Sequence, residues 1–385
     1  MIPYGRQCIE QSDIDAVVEV LHSDFLTQGP KVPAFEGAVA DRVNARYGFA
    51  VNSATSALHL ACLALGVGPG DRVWTSPNTF VASANCALYC GATVDFVDID
   101  PWTYNMCAET LAEQLQRAQA EGCLPKVVIP VHFAGQSCDM AEIHALSAQY
   151  GFSIIEDASH AIGASYRGEP VGCGRFSDIT VFSFHPVKII TTAEGGLTVT
   201  NSEKLAQTMA LLRSQGVTRD EALMTEAAHG PWYYQQIELG FNYRMTDIQA
   251  ALGLSQLGRL DQYLSRRHQL ASRYDQAFAD LPLTCPWQHP DSVTAYHLYP
   301  VRIPGREGCG RKEVFQQLRQ AGIGVNVHYI PVHLQPYYRR LGFAPGDFPE
   351  AEKYYSEAIS LPLFPALGED EQDAVIAAVR EVVRT

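Results

Sequence analysis

The sequence has no stretch of about 18 consecutive uncharged apolar residues, the length that a membrane-crossing helix needs. Its first residues, MIPYGRQCIEQSD, also lack the apolar core of a secretory signal, so a cytoplasmic protein with no membrane span is expected. Runs of Lys and Arg are missing too: 28 basic residues stand against 42 acidic ones, and the formal charge is −14. Such a chain repels a phosphate backbone, which argues against nucleic acid as a partner. None of the ten cysteines forms a Cys-x-x-Cys pair; they scatter from Cys8 to Cys309, and Cys62 and Cys86 fall inside apolar patterns. Buried free thiols fit that spacing better than disulfides or zinc. Pro331 separates His328 from His333 and denies them a shared helical face, so no metal is expected. Charged residues reach only 18% and apolar residues 47%, so much apolar surface must be buried in large cores or between subunits, and an oligomer is expected.

At 385 residues the chain exceeds the roughly 250 to 300 that one core organises, which suggests a large unit and a smaller one. A helix with apolar Ile14, Val17, Val18 and Leu21 on one face starts at a Ser12 cap and precedes the turn-like FLTQGPK. From about residue 45 to 200, β-rich runs (VWTS, TVDFVDI, VVIPVHF, SIIEDA, ITVFSF, LTVT) alternate with helical ones (TSALHLACLAL, ASANCALYC, DMAEIHALSAQY). That alternation predicts an α/β fold with a mostly parallel sheet covered on both faces. A long helical run from Met245 to Leu281 follows, then YHLYPVRI as a strand, KEVFQQLRQAG as a helix closed by Gly322, and a helix near 369 to 383. The expected units are residues 1–255 and 256–385.

Three features could carry chemistry. In Val51-Asn-Ser-Ala-Thr-Ser-Ala-Leu58 the hydroxyls of Ser53, Thr55 and Ser56 fall where a helix begins after a strand. Free N–H groups and the helix dipole bind phosphate there, although a plain N-cap reads the same way. Gly66, Gly68 and Gly70 follow a helix instead of opening one, so the dinucleotide-binding motif is lacking. In SIIEDASHA an apolar strand runs into Glu156 and Asp157, at the strand end where open α/β sheets bind ligands; a helix cap is the alternative. In ITVFSFHPVKIITTAEGG, Lys188 stands in an apolar setting close after a strand, where an ammonium is either exposed at the strand end or functional. A phosphate site, a carboxylate and a shielded lysine are together what pyridoxal phosphate requires of its protein. The carboxylate keeps the pyridine nitrogen protonated, the lysine forms the Schiff base, and Phe80 would offer a flat apolar face, unless it is an ordinary core aromatic.

With Ser183, Phe184, His185 and Lys188 as S-F-H-x-x-K, with EDASHA, and with ELGFNYRMTDIQAALGLSQL from Glu238 to Leu257, nearly the whole chain resembles the DegT/DnrJ/EryC1/StrS sugar aminotransferases. The resemblance implies the type I fold of pyridoxal-phosphate aminotransferases, with a mostly parallel seven-stranded sheet in the large domain and a smaller C-terminal α/β domain. It also implies a homodimer with shared active sites. Lys188 and Asp157 would be catalytic, and Thr55, Ser56, Phe80, Asp157, His160, Ser183, Lys188 and Asn242 would contact the cofactor, Asn242 from the neighbouring subunit. Many family members have Gly where this chain has Ala54, a departure that keeps the hydroxyls. Related dehydratases carry histidine in place of the lysine, so Lys188 favours transamination.

Within the family, PWYYQQIELGFNYRMTDIQ, NSATSALHLA, FLTQGP and VHYIPV most resemble the pseudaminic-acid branch. That implies transfer of an amino group from L-glutamate to C4 of a UDP-4-keto-6-deoxy-N-acetylhexosamine of the L-altrosamine type. Tyr4, Phe25, Leu26, Thr27, Gln28, Ser183, Asn242, His328, Tyr329, Ile330 and Pro331 would line the sugar site, although Tyr4 could simply anchor the N-terminus and HYIP could be a strand ending at proline. Another nucleotide sugar, amination at C3, or a non-catalytic cofactor-binding protein are the alternatives.

Overall fold

The computed structural model describes residues 1–305 and 310–384; Cys309 lies outside them. Its centre is a sheet of seven strands: β1 (Tyr47–Val51), β2 (Arg72–Thr75), β3 (Thr93–Phe96), β4 (Val127–Ile129), β5 (Ser153–Asp157), β6 (Ile179–Ser183) and β7 (Gly196–Thr200). Their order across the sheet is β1, β7, β6, β5, β4, β2, β3. Only β7 runs against its neighbours, β1 and β6. The other contacts are parallel, as the strand and helix alternation predicts.

Alternate strand residues enter opposite cores, because successive side chains point to opposite faces. Val73, Val127, Ile129 and Ile155 join Leu58 and Cys62 of α3 (Ala54–Ala64) and Cys86 of α4 (Ala82–Tyr89). Trp74, Val128 and Ile154 meet Leu111 and Leu115 of α5 (Ala108–Glu121) and Ile143 of α6 (Met140–Tyr150). At the β1 end, Phe182 and Leu197 pack with Phe35 of α2 (Lys31–Arg42). A further core joins Leu270, Tyr274 and Phe278, Tyr299 and Val301, and Ile359 and Leu361; Tyr299 pairs with Leu361 in a two-stranded antiparallel sheet. Val314 and Leu318 of the helix Arg311–Gln320 and Val375 and Val379 of the helix Glu369–Arg384 close this core. Among the described residues no helix is long and apolar enough to cross a membrane, and nine cysteines are free thiols.

The structure corrects several expected elements. The first helix runs from Gln11 to Leu21 with Glu10 as its N-cap, because the Asp13 carboxylate accepts the Glu10 amide at 2.9 Å; Ser12 is not the cap. The stretch from Met245 to Leu281 is two helices, Asp247–Leu257 and Leu260–Phe278, since Gly258 caps the first and Arg259 leaves helical geometry. HYIP forms no strand; it leads into a 3-10 turn at Val332–Leu334. His328 Nδ1 pairs with Ser360 Oγ, whereas His333 Nε2 pairs with Glu352, so the two rings serve different partners.

Candidate active site

Strands β5 and β6 end beside each other and deliver Asp157 and Ser183 to one edge of the sheet. Here opens a cavity of about 480 Å³, lined among others by Thr55, Phe80, Asp157, His160, Ser183 and Lys188. Its size suits a small-molecule ligand.

One wall is the N-terminus of α3. Ser53 caps it by accepting the Ser56 amide at 3.1 Å, and the Ser56 hydroxyl turns back to Asn52 Oδ1 at 2.7 Å. Ser53, Ala54 and Thr55 therefore face the cavity, while Ser56 lies behind them. Gly196 makes this approach possible: a Cβ there would stand 2.5 Å from the Ala54 nitrogen. The helix dipole and its free amides give this wall affinity for an anion.

The opposite wall carries the charges. Asp157 Oδ2 accepts the Ser83 hydroxyl at 2.6 Å, and Oδ1 accepts the Ser159 amide at 3.1 Å and hydroxyl at 2.5 Å. Thr79 Oγ1 lies 2.8 Å from Ser83 Oγ and donates to it, because the Ser83 proton goes to Asp157. These bonds fix the Asp157 carboxylate while leaving it on the cavity wall. Lys188 stands in the turn after β6, its amide bonded to the His185 carbonyl at 2.9 Å. Burial pulls its pKa down to about 8, with the Asp157 carboxylate opposing the shift.

Of the four histidines on the cavity, His160, His297 and His328 are buried. His160 Nδ1 accepts the Ala134 amide at 3.2 Å, so the neutral ring carries its proton on Nε2 and donates it to Tyr329 Oη at 3.0 Å. The His297 ring centroid lies 4.4 Å from that of His160. Burial, aided by the positive charge of Lys188, pushes His160 and His297 well below the ordinary histidine range and His328 to about 3. The rings stay uncharged at neutral pH and leave Lys188 as the nearby amine that titrates.

The expected residues divide into two groups. Tyr4, Thr55, Phe80, Asp157, His160, Ser183, Lys188, His328 and Tyr329 share the cavity. Ser56, Phe25, Leu26, Thr27, Gln28, Asn242, Ile330 and Pro331 are not on its wall; Phe25 and Leu26 are 54% and 47% exposed, turned outward. The cavity also holds His185 of the S-F-H-x-x-K signature, and groups that sequence reasoning did not single out: Thr79, Ser83, Ser159, Glu194 and His297. Ser159 was within reach, two places after Asp157 in a pattern typical of a side chain bonding onward to the backbone. Nothing in sequence spacing links Ser83, and Thr79 behind it, to an acid 74 residues after Ser83.

The donor set fits pyridoxal phosphate: an anion-binding helix start for the phosphate, a fixed carboxylate for a ring N–H, and an amine of lowered pKa for an aldehyde, all on one cavity.

Comparison with known proteins agrees in kind. A family model described as the DegT/DnrJ/EryC1/StrS aminotransferase family matches residues 7–380. The spore coat polysaccharide biosynthesis protein SpsC of Bacillus subtilis (strain 168) is 41% identical, over 100% of this chain and 97% of its own. A UDP-4-amino-4,6-dideoxy-N-acetyl-beta-L-altrosamine transaminase of Campylobacter jejuni is 39% identical, over 94% of this chain and 92% of its own. Among solved structures, the putative sugar aminotransferase Spr1654 of Streptococcus pneumoniae in its PMP form superposes with a TM-score of 0.90 at 32% identity, covering 100% of this chain and 99% of that one. Its PLP form gives 0.88 at the same 32% identity, covering 100% and 98%.

Proposed function

The chain belongs to the DegT/DnrJ/EryC1/StrS aminotransferase family, and on that premise we propose that it moves an amino group from L-glutamate to C4 of a UDP-linked 4-keto-6-deoxy-N-acetylhexosamine of the L-altrosamine type, a step of pseudaminic acid biosynthesis. The observation that carries the reading is the meeting of Lys188, Asp157 and the α3 N-terminus on one cavity. The likeness to the Campylobacter jejuni transaminase supports the choice of sugar.

Pyridoxal phosphate supplies the carbonyl that takes up the amino group and the ring that withdraws electrons from the reacting carbon. Lys188 would hold it covalently. The Lys188 amine would carry the α-proton from the donor to the cofactor and, in the other half-reaction, from the cofactor to C4 of the sugar; a pKa of about 8 keeps a working fraction of the amine neutral. Asp157, fixed by Ser83 and Ser159, holds the proton of the ring nitrogen. The amides at Ala54 and Thr55, with the Thr55 and Ser183 hydroxyls, bind the phosphate. His160 orients the Tyr329 phenol without adding charge, and Phe80 on the cavity wall would offer the ring an apolar face.

In this reading the functional unit is a homodimer in the cytoplasm. Asn242 and the segment from Phe25 to Gln28 then serve the second subunit's cavity, since they do not line their own; the exposed Trp232 and Leu239, at 73% and 75%, suit such an interface.

The test is the visible absorption of the purified holoenzyme. L-glutamate should bleach the cofactor band, and the band should return with the UDP-4-keto-6-deoxy-L-altrosamine derivative and not with its D-gluco counterpart. Return with the D-gluco sugar alone overturns the choice of sugar, and a band that ignores L-glutamate overturns the donor.

A further inference from the structure

Asp247, the first residue of the helix Asp247–Leu257, is fully buried, yet no ion pair involving it is present among the described residues. Its two oxygens serve a distant turn instead. Oδ2 accepts the Gly29 amide and Oδ1 the Lys31 amide, each at 2.8 Å and across more than 200 residues of sequence. The Asp247 amide donates to the Leu26 carbonyl at 3.0 Å, and Thr27 bridges to Thr246. The turn so held is tight: Gln28 has φ of 57°, and a Cβ on Gly29 would stand 2.4 Å from Phe25 Cβ and 2.9 Å from Asp247 Oδ1. The same helix start also holds the cavity rim, since Gln249 Nε2 donates to the Glu194 carbonyl at 2.8 Å.

A buried carboxylate without a cation is costly unless its hydrogen bonds compensate, so the arrangement calls for a use. The bond to Lys31 serves its own subunit, because Lys31 opens α2; the rest of the turn has no such use there, since it buries neither Phe25 nor Leu26. We infer that Asp247 is a positioning residue for the sugar half-reaction, fixing the Phe25–Lys31 turn in the shape that the second subunit's cavity receives. The inference rests on the proposed homodimeric sugar aminotransferase.

The experiment times the two half-reactions separately in holoenzymes carrying Asp247→Asn or Gly29→Ala. Asparagine keeps one acceptor and sets an NH2 group against the other amide, while alanine crowds the turn from its own side. Each variant should be bleached by L-glutamate at the wild-type rate, yet recover with the keto sugar at a KM raised about tenfold, the equivalent of one lost hydrogen bond to a charged group, with kcat little changed. Equal slowing of both half-reactions, or a sugar KM at the wild-type value, overturns the inference. Thermal melting establishes that each protein is folded, and if Asp247→Asn does not fold, Gly29→Ala decides. Should wild-type holoenzyme itself recover with no keto sugar, the proposed function fails and takes this inference with it.

Discussion

Glu156 and Asp157 are neighbours on one strand, 5% and 4% exposed, yet they belong to different regions. Glu156 points into a closed network: His132 Nε2 donates to it at 2.7 Å, Thr180 Oγ1 donates at 3.2 Å, and Ser177 Oγ also donates. The His132 ring is itself fixed, because its Nδ1 accepts the Cys138 amide at 3.1 Å. Asp157 faces the cavity with serine hydroxyls and an amide behind it. The two cations repeat the contrast. Arg267 is sealed, its Nη1 donating to the carbonyls of Tyr296, His297 and Leu363, whereas Lys188 is left on the cavity wall; burial lowers both, Arg267 to about 10 and Lys188 to about 8. Sealed ionic groups organise the fold; groups of the same chemistry that line a cavity are free to meet a ligand.

The largest effect should come from removing the cavity amine. Lys188→Ala is expected to lower turnover by about ten-thousand-fold, the upper range for loss of an acid and base group, while cofactor stays bound through its phosphate contacts. Near-normal turnover would erase the distinction between Lys188 and Arg267.

The adjacent carboxylates allow a crossed test. Asp157→Asn should slow both half-reactions by about 100- to 1000-fold, the range for losing one well-placed electrostatic group, with little change in melting temperature. Glu156→Ala should do the reverse. It leaves His132 buried without its acceptor and should cost about 3 kcal/mol of stability, read in a denaturant titration, with turnover per folded molecule preserved. Burial raises the pKa of Glu156, but hydrogen bonds from His132, Ser177 and Thr180 outweigh it and leave the group below its ordinary 4.5. The stabilisation is thus present above pH 4.5 and fades as the pH falls below it. If the two substitutions gave the same pattern, the strand would not divide the two regions.

Period-2 alternation explains how far the sequence could take this comparison. The strand runs SIIEDA and ITVFSF announced the sheet, because apolar side chains on both faces mark a covered parallel strand. The acid pair announced a strand end, yet alternation says only that its members point opposite ways, and the partners His132, Ser177 and Ser83 decide which is sealed. Motif likeness placed Lys188, Asp157, Thr55 and His160 together. It did not reveal that the Phe25–Gln28 turn leaves its own cavity, nor that Asp247 holds it, because both depend on contacts more than 200 residues apart. The break at Gly258 was missed because glycine is tolerated within a helix, and it ends this one only through the backbone geometry of Arg259.

The smallest effect, and the finest probe of the cavity side, is the titration of Lys188. Burial favours the neutral amine, so the pKa falls from 10.5 to about 8. Only the neutral amine attacks an aldehyde; at pH 7 about one amine in ten is in that form, and above pH 8 most are. Protein stripped of cofactor should therefore take up pyridoxal phosphate at a rate that rises about tenfold per pH unit below 8 and levels off above it. The same shift bears on stability with a definite sign: between pH 8 and 10.5 the unfolded chain binds the proton that the folded chain has released, so folding gains as the pH rises through that window. An uptake rate still climbing at pH 10 would place Lys188 in a solvated setting like that of any surface lysine. The cavity would then lack an amine that loses its proton near neutral pH, whereas the sealed Arg267, although burial lowers it to about 10, keeps its charge there.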